Sequence, residues 1–360
     1  MLQPPAHPSR QDRAMTNPTQ RYSTADFHYD FPPELIAQRP RPDRDGSRLL
    51  HLDRESGRVE HRVFRDLLEL FQADDVMVVN SSRVINARLH GIRQNGAPAE
   101  VLLVHPKADG TWIAMVHPGG KLKVGRTIHF DDDAQLEIME VLGGGLRRIR
   151  LTGLDWAGLI DRYGTVPLPP YIKRPPESED ETRYQTVYAH CDGSVAAPTA
   201  GLHFTPELLD QIVSRGVQVV EVVLHVGPGT FKPVTADVPA EHTMHAEWYR
   251  VPRQTADAIN EAHDLGRRVW AVGTTVTRVL ETAARDWPIR ATEGWTKLFI
   301  YPPYEFRAVD GLLTNFHLPG STLLMLVCAF GGVDHVLAAY RTAVAAWYRL
   351  YSYGDAMVVV

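Results

Sequence analysis

The sequence predicts an α/β domain, in which helices pack on a mixed sheet, with a small antiparallel β-barrel domain inserted into it. From about residue 153 onward, helical segments alternate with short apolar strand segments, an order typical of α/β proteins. Residues 84–152 instead hold short alternating segments that are separated by glycine-bearing turns and show no helical period, as in small barrels. The expected domains are therefore 25–83 with 153–360 for the α/β domain, and 84–152 for the barrel.

The elements of the first half follow from local composition and periodicity. Residues 1–24 are rich in Pro, Gln, Arg and Thr and lack an apolar segment, so they are expected to form a disordered tail. Short helices are expected at 32–38 and 64–71, and strands at 47–54 and 74–80. The expected barrel strands are 84–92, 99–105, 111–117, 127–133, 135–142 and 146–153.

The second half contains the helices and strands that complete the α/β domain. One helix has clear end signals, because Thr205 can cap it, Pro206 suits its first position and Gly216 ends it. The expected helices are 154–164, 206–216, 252–266, 274–287, 321–332 and 334–351. The expected strands are 217–226, 267–273, 295–301, 312–316 and 356–360.

Composition excludes several classes of protein. A net charge of −5 means that any nucleic acid must be held by a local basic patch. Two distant cysteines, Cys191 and Cys328, form no CxxC pair, which argues against a zinc site or a disulfide framework and fits a reducing cytoplasm. The longest apolar run, LLMLVCAF, is too short to cross a bilayer, so no membrane is expected.

Loops rich in glycine and hydroxyl residues follow several strands and precede helices. Such loops occur at 193–205, 226–231, 272–275 and 316–322. Ligands bind at the carboxyl ends of strands in open α/β sheets, and glycine lets the backbone approach them closely. Each loop alone is more often a tight turn or a cap, but three such loops at strand ends in one domain, 226–231, 272–275 and 316–322, favour a ligand site. The helix that starts after Thr205 would offer N–H donors to an anion.

Histidines lie in or beside these loops, and basic residues cluster elsewhere. His203, His225 and His317 suit proton transfer near neutral pH, although a lone histidine is more often a surface or satisfied core residue. Basic clusters are either solvated loops or phosphate contacts for a nucleic acid. No spacing of ligands matches a standard metal site.

The combined motifs resemble one family, the S-adenosylmethionine:tRNA ribosyltransferase-isomerases of queuosine biosynthesis. The resemblance runs from about residue 26 to 357 and rests on SVAAPTAGLHFT, LHVGPGTFKPV, HTMHAE, AVGTTVTRVLE, TNFHLPGSTLLMLV and YSYGDAM, with RDGSRLL, NSSRVINARLHG and VPLPPYIKR in the first half. It implies transfer and isomerisation of the ribosyl moiety of S-adenosylmethionine onto 7-aminomethyl-7-deazaguanine at the tRNA wobble position. The products would be epoxyqueuosine-tRNA, adenine and methionine. It also implies an α/β domain with an inserted barrel, a tRNA partner and no metal.

The resemblance also yields candidate site residues. Proton handling is expected of His203, His225, His317 and Asp355, where Asp355 would pair with Arg83 or Arg278 or accept from a ribose hydroxyl. Cosubstrate binding is expected of Thr199, Gly201, Phe204, Gly227, Gly229, Thr230, Phe231, Gly273, Thr274, Thr275 and Tyr304. Contacts to tRNA are expected of Arg83, Arg88, Lys121, Lys123, Arg126, Lys173 and Arg174, and the protein is expected to be a monomer.

The sequence departs from the family's usual motifs at a few positions. Residues 118–123 read PGGKLK where the family is richer in lysine, Ser81 replaces an aspartate, and Pro303 replaces a glycine. A paralogue that uses S-adenosylmethionine with another amine or nucleobase therefore stays open, as does a non-catalytic RNA-binding protein. The latter predicts eroded loop motifs, and these motifs are largely intact.

Overall fold

The computed structural model describes residues 22–131, 133–227, 229 and 234–360. Most of the predicted tail and part of the predicted glycine loop, including Thr230 and Phe231, therefore lie outside the described residues. A 3-10 helix, Thr24–Phe27, already belongs to the folded core, because Phe27 is buried and the Thr24 N–H donates to the Asp237 carbonyl over 2.8 Å.

A mixed sheet of nine strands forms the centre of the α/β domain, as predicted. Its strands are β1 (Arg48–Leu52), β2 (Val59–Val63), β3 (Val76–Asn80), β13 (Gln218–Leu224), β14 (Glu247–Val251), β15 (Val269–Val272), β16 (Thr292–Thr296), β17 (Gly311–Asn315) and β18 (Ala356–Val359). Their spatial order is β16-β14-β13-β3-β15-β17-β18-β1-β2. The four strands β13, β3, β15 and β17 run parallel, so their carboxyl ends share one edge of the sheet.

The inserted domain is a closed antiparallel barrel of six strands, which confirms the predicted fold class. The strands are β5 (Arg88–Arg93), β6 (Pro98–Pro106), β7 (Trp112–His117), β8 (Thr127–Phe130), β9 (Ala134–Val141) and β10 (Leu146–Thr152). The pairing of β5 with β8 closes the ring, and β11 (Gly164–Thr165) adds to β5. Two further short strands, β4 (Ser82–Val84) and β12 (Cys191–Ser194), pair in parallel next to the barrel.

Helices cover both faces of the nine-stranded sheet. They are α3 (Pro206–Ser214), α4 (Arg253–Asp264), α5 (Thr274–Ala283), α6 (Thr322–Gly331) and α7 (Val333–Ala345). Of the other two helices, α1 (Trp156–Tyr163) packs on the barrel, and α2 (Asp180–Arg183) is a single turn that precedes β12. Alternate residues of β3 point to opposite faces of the sheet. Val76 and Val78 pack in the core under α4 to α7, whereas Met77 and Val79 pack in the core under α3. The burial of both faces explains why β3 and β15 consist almost entirely of apolar residues.

Two of the predicted helices are 3-10 helices, and two other elements end well before the predicted residue. The short helices expected at 32–38 and 64–71 are the 3-10 helices Pro33–Leu35 and Phe64–Leu70. The strand expected at 295–301 ends at Thr296, because the Leu298 backbone is satisfied by side chains: its N–H donates to Thr296 Oγ1 and its carbonyl accepts from Arg278 Nε. The last long helix ends at Ala345, ahead of Trp347 with its φ of 57°.

Within the described residues, no single helix is long and apolar enough to cross a membrane. Only α6 and α7 taken together, across the 115° bend between them, have the required length and composition.

Candidate active site

A cleft opens at the shared carboxyl edge of the parallel strands. Loops that follow β12, β13, β15 and β17 line it, together with the turn before β18. Such an edge is where open α/β sheets bind ligands. The described lining residues are Tyr171, Ala197, Pro198, Thr199, Ala200, Val226, Gly273, Thr274, Thr275, Thr314, Asn315, Phe316, His317, Leu318, Ser321, Leu323, Tyr351 and Ser352.

The helix N-terminus that faces the cleft belongs to α5 and not, as expected from the sequence, to α3. Gly273 precedes α5 with a φ of 95°, a conformation that glycine adopts without strain, and it has no side chain that could cap the helix. Among the residues that the structure describes, nothing accepts from the first N–H groups of α5, which lie on the cleft side with Thr274 and Thr275. In α3, by contrast, the Thr205 hydroxyl accepts from the Leu208 N–H over 3.1 Å. An anionic group of a ligand fits at α5.

Asn315, at the end of β17, presents an unpaired acceptor to the cleft, and His203 fixes its orientation. The Asn315 amide nitrogen donates to His203 Nε2 over 3.2 Å and to the Tyr351 carbonyl over 3.1 Å. An amide nitrogen only donates, so His203 Nε2 accepts, and Nδ1 carries the proton that it donates to Ser47 Oγ over 3.0 Å. Asn315 Oδ1 is then left buried without a partner among the described residues.

His203 itself lies behind the cleft. Its ring is buried, stacks on Phe64 with 4.9 Å between ring centroids, and does not belong to the described lining residues. Burial lowers the pKa of His203 to about 4, although the nearby Asp355 carboxylate opposes that shift. The imidazole is therefore neutral at physiological pH, and its geometry makes it a positioning group for Asn315.

His317 is the candidate histidine that lines the cleft. Its Nε2 lies 2.7 Å from Thr314 Oγ1, and this hydroxyl in turn donates to the Asn315 carbonyl over 3.3 Å. The hydroxyl therefore accepts from Nε2–H, which leaves the lone pair of the neutral ring on Nδ1. Burial lowers the pKa of His317 to about 3. A neutral ring in this position can accept a hydrogen bond or a proton from a bound molecule.

His225 lies beside the cleft, one residue before Val226, which lines it. Its Nδ1 is 2.8 Å from Ser82 Oγ, and its ring stacks on Trp248 with 5.1 Å between centroids and 20° between planes. Burial lowers the pKa of His225, and the Arg250 guanidinium adds to that shift. His225 and His203 therefore do not share the cleft with His317.

Asp355 is buried away from the cleft and holds the turn before β18. Its carboxylate accepts from the Arg48 N–H over 3.0 Å and from the Arg349 N–H over 2.8 Å, and Arg48 Nε lies 3.4 Å from it. The expected pairing with Arg83 or Arg278 is wrong, because those guanidinium groups pair with Asp192 and Glu247.

The predicted cosubstrate residues separate into two groups. Thr199, Gly273, Thr274 and Thr275 line the cleft, and Thr275 Oγ1 is buried without a partner among the described residues. The others serve packing or lie further away, as follows. Gly201 packs on Tyr188, Gly229 packs on His245, and Phe204 is buried against Phe64. The Gly227 N–H donates to Glu247 Oε1 over 2.8 Å, and the Tyr304 hydroxyl donates to Glu281 Oε2 over 3.4 Å.

The predicted tRNA contacts also separate by environment. Lys121, Lys123, Arg126 and Lys173 are exposed. Three arginines are instead engaged by carboxylates: Arg83 with Asp192, Arg88 with Glu100 at 3.4 Å, and Arg174 with the buried Asp180 at 2.6 Å. The exposed lysines of the barrel are therefore the members of this set best placed to contact phosphates.

Sequence reasoning missed lining residues that come from distant parts of the chain. Asn315 lies two residues before His317, and its place at the end of a buried strand was the available signal. Tyr171 and Ser352 hydrogen-bond each other over 2.6 Å across 181 residues of chain, a contact that no local pattern indicates.

No group of three or more His, Cys, Asp or Glu side chains that could hold a metal ion occurs in the described part of the chain. The expectation that the protein uses no metal stays a prediction.

The fold and the cleft define an α/β enzyme with an inserted barrel and a ligand site at the carboxyl ends of its parallel strands. A family model described as a queuosine biosynthesis protein matches residues 24–359. The chain therefore belongs to this family of queuosine biosynthesis proteins.

Individual relatives agree with that assignment. Two of them, from Desulfitobacterium hafniense and Moorella thermoacetica, are named S-adenosylmethionine:tRNA ribosyltransferase-isomerase. They are 49% identical over 342 residues and 50% identical over 340 residues, in each case 93% of this chain and 99% of the relative. The crystal structure of S-adenosylmethionine tRNA ribosyltransferase from Thermotoga maritima is similar, with a TM-score of 0.55 and 40% identity over 93% of this chain and 100% of that chain.

Proposed function

We propose that the protein transfers and isomerises the ribosyl moiety of S-adenosylmethionine onto 7-aminomethyl-7-deazaguanine at the wobble position of a tRNA. The products are epoxyqueuosine-tRNA, adenine and methionine. One observation carries the proposal: in a chain of this family, loops that bear the family's motifs converge on one cleft, whose buried acceptors have no partner in the described part of the chain.

The N-terminus of α5 is the proposed site for the methionine carboxylate. Its first N–H groups point toward the cleft, and the helix dipole favours an anion there. Thr275 Oγ1 adds a hydroxyl that is buried and has no partner among the described residues. Because an unsatisfied buried hydroxyl costs free energy, a ligand that pairs with it binds more tightly.

Asn315 and His317 are proposed to contact the reacting nucleoside. The sulfonium of S-adenosylmethionine acidifies the adjacent 5′ hydrogens of the ribose, so a neutral base beside it can remove one. His317 lines the cleft and its Nδ1 lone pair is not used in the bond to Thr314, which makes it the base that we propose. Asn315 Oδ1 can accept from a ribose hydroxyl or from the exocyclic amine of adenine.

The proposal extends to conditions and partners. The tRNA docks through the exposed lysines of the barrel, and the protein acts as a cytoplasmic monomer without a metal ion. Both cysteines are free thiols, which supports a reducing compartment.

Adenine release from S-adenosylmethionine tests the proposal. The assay compares tRNA that carries 7-aminomethyl-7-deazaguanine with the same tRNA carrying guanine, and we expect release with the first alone. Equal release with both tRNAs points to another acceptor, and no release with either points to a non-catalytic RNA-binding protein.

Matched threonine variants test the cleft. Thr275→Val removes the unpaired hydroxyl with little change in shape, and we expect it to raise the dissociation constant for S-adenosylmethionine about tenfold. Thr277→Val is the control, because Thr277 lies on the same helix and its hydroxyl bonds the Gly273 carbonyl over 3.2 Å. An equal effect of both substitutions would show that the cleft is not the cosubstrate site.

A further inference from the structure

Three aromatic side chains lie side by side across the sheet edge next to the cleft. Trp248 and Trp295 are direct partners in the antiparallel pairing of β14 with β16, and the His225 N–H donates to the Trp248 carbonyl over 3.0 Å. Neighbouring positions on these strands, Glu247 and Thr296, are buried toward α5, so the aromatic positions face the opposite way. We call His225, Trp248 and Trp295 the aromatic row.

The aromatic row is more exposed than packing requires. Trp295 is 53% exposed, and the stacked rings of His225 and Trp248 are both partly exposed. A single exposed aromatic residue is ordinary, whereas a contiguous set marks an interaction surface. At one end the row reaches the cleft through Val226, and at the other His105 of the barrel contacts Trp295 with 5.1 Å between ring centroids.

Cations accompany the row. Arg250 is exposed and lies two residues from Trp248, on the same face of β14. On the barrel side, Lys107 is exposed close to His105. Flat rings flanked by cations match the chemistry of unpaired nucleotides, whose bases stack on aromatic side chains while their phosphates pair with positive charge.

We propose that the aromatic row binds unpaired nucleotides of the tRNA anticodon loop by base stacking and so guides the wobble base to the cleft. The inference rests on the proposed function, because it takes a tRNA as the substrate. Bases inside a duplex present no free face, so the row distinguishes the loop from the stem. The lysines of the barrel, by contrast, can contact the phosphates of both the loop and the stem.

The test compares Trp295→Ala with Trp347→Ala. Trp347 is 65% exposed and lies in the turn after α7, outside the row, so it controls for the loss of an exposed tryptophan. The probes are an RNA hairpin with the anticodon loop and a duplex of the same stem without unpaired nucleotides. Dissociation constants are measured by fluorescence anisotropy over a range of salt concentrations.

Trp295→Ala is expected to raise the dissociation constant for the hairpin about tenfold and to leave that for the duplex unchanged. The dependence of hairpin affinity on salt should keep its slope, because stacking releases no counterions. Trp347→Ala should match the wild type with both probes. Equal weakening for hairpin and duplex, or an equal effect of both variants, would overturn the proposal.

Two further measurements separate this inference from the proposed function. Adenine release by the wild type reports on the proposed function alone. If the wild type shows no turnover but its hairpin binding still depends on Trp295, the result contradicts the proposed function and supports the aromatic row. Normal turnover with an unchanged KM for tRNA in Trp295→Ala contradicts the row and supports the function. Sedimentation that shows a dimer in the wild type and a monomer in Trp295→Ala would assign the surface to a second copy of the chain and overturn the proposal.

Discussion

Replacing Asp355 by alanine is expected to destabilise the protein while leaving its chemistry largely intact. The substitution removes the acceptor of the Arg48 and Arg349 N–H groups, which are only partly buried. At about 1–2 kcal/mol for each unsatisfied donor, the expected loss is about 2–4 kcal/mol. The ion pair with the Arg48 side chain adds little, because that side chain is 37% exposed.

The loss converts into a shift of the melting temperature. For a chain of 360 residues, an unfolding entropy of about 2.1 cal/mol/K per residue gives a decrease of about 3–5 °C. Differential scanning fluorimetry measures it, and turnover is measured at a temperature well below the transition. Asp355→Asn, which keeps one acceptor oxygen, should lose about half as much. A melting temperature within about 1 °C of the wild type, combined with a large loss of turnover, would refute the structural role and favour a catalytic one.

Three further predictions concern pH, tRNA docking and metal. Burial lowers the pKa of His203 to about 4 and that of His317 to about 3, whereas both pKa values are near 6.5 in the unfolded chain. As the pH falls below 6.5, the unfolded state therefore binds more protons than the folded state. The free energy of unfolding, measured with urea, should be highest above pH 6.5 and should fall by about 3 kcal/mol through His203 as the pH approaches 4. A free energy of unfolding that does not change with pH would contradict the buried neutral rings. Replacing Lys121, Lys123 and Arg126 together should weaken tRNA binding and flatten its salt dependence without changing the thermal shift by S-adenosylmethionine; unchanged tRNA affinity would exclude this face of the barrel. A chelator should leave turnover unchanged, and activity that is lost and then restored by a metal would overturn the metal-free proposal.

The fold was accessible from the sequence because its strongest signals are periodic. Alternation in the barrel strands and continuous apolar runs in β3 and β15 follow from burial on one face or on two. The helix predicted at 64–71 is present, but the sequence does not distinguish its 3-10 form, because an apolar pattern over two turns fits an α-helix and a 3-10 helix equally well. Residues 295–301 were assigned as strand because their apolar content matches one, whereas side chains satisfy the backbone there.

The site could be predicted from the sequence only in part. Gly273 to Thr275 and His317 follow strands directly, so their position at the sheet edge could be predicted. The direction of a side chain within a loop could not, and so Phe204 was placed at the ligand although it is buried in the core. The dependence of Asn315 on His203 joins positions 112 residues apart, and only the folded chain brings them together.

The position of β18 has a consequence for how the chain folds as it is synthesised. This strand lies between β17 and β1, parallel to β1, and joins the first strand pair to the rest of the sheet. While a ribosome is still adding residues before 356, the β1–β2 pair has no strand that connects it to the rest of the sheet, whereas the barrel is already complete in sequence. The barrel can therefore fold early, and the exposed edge of β1 must be protected from other chains until β18 emerges.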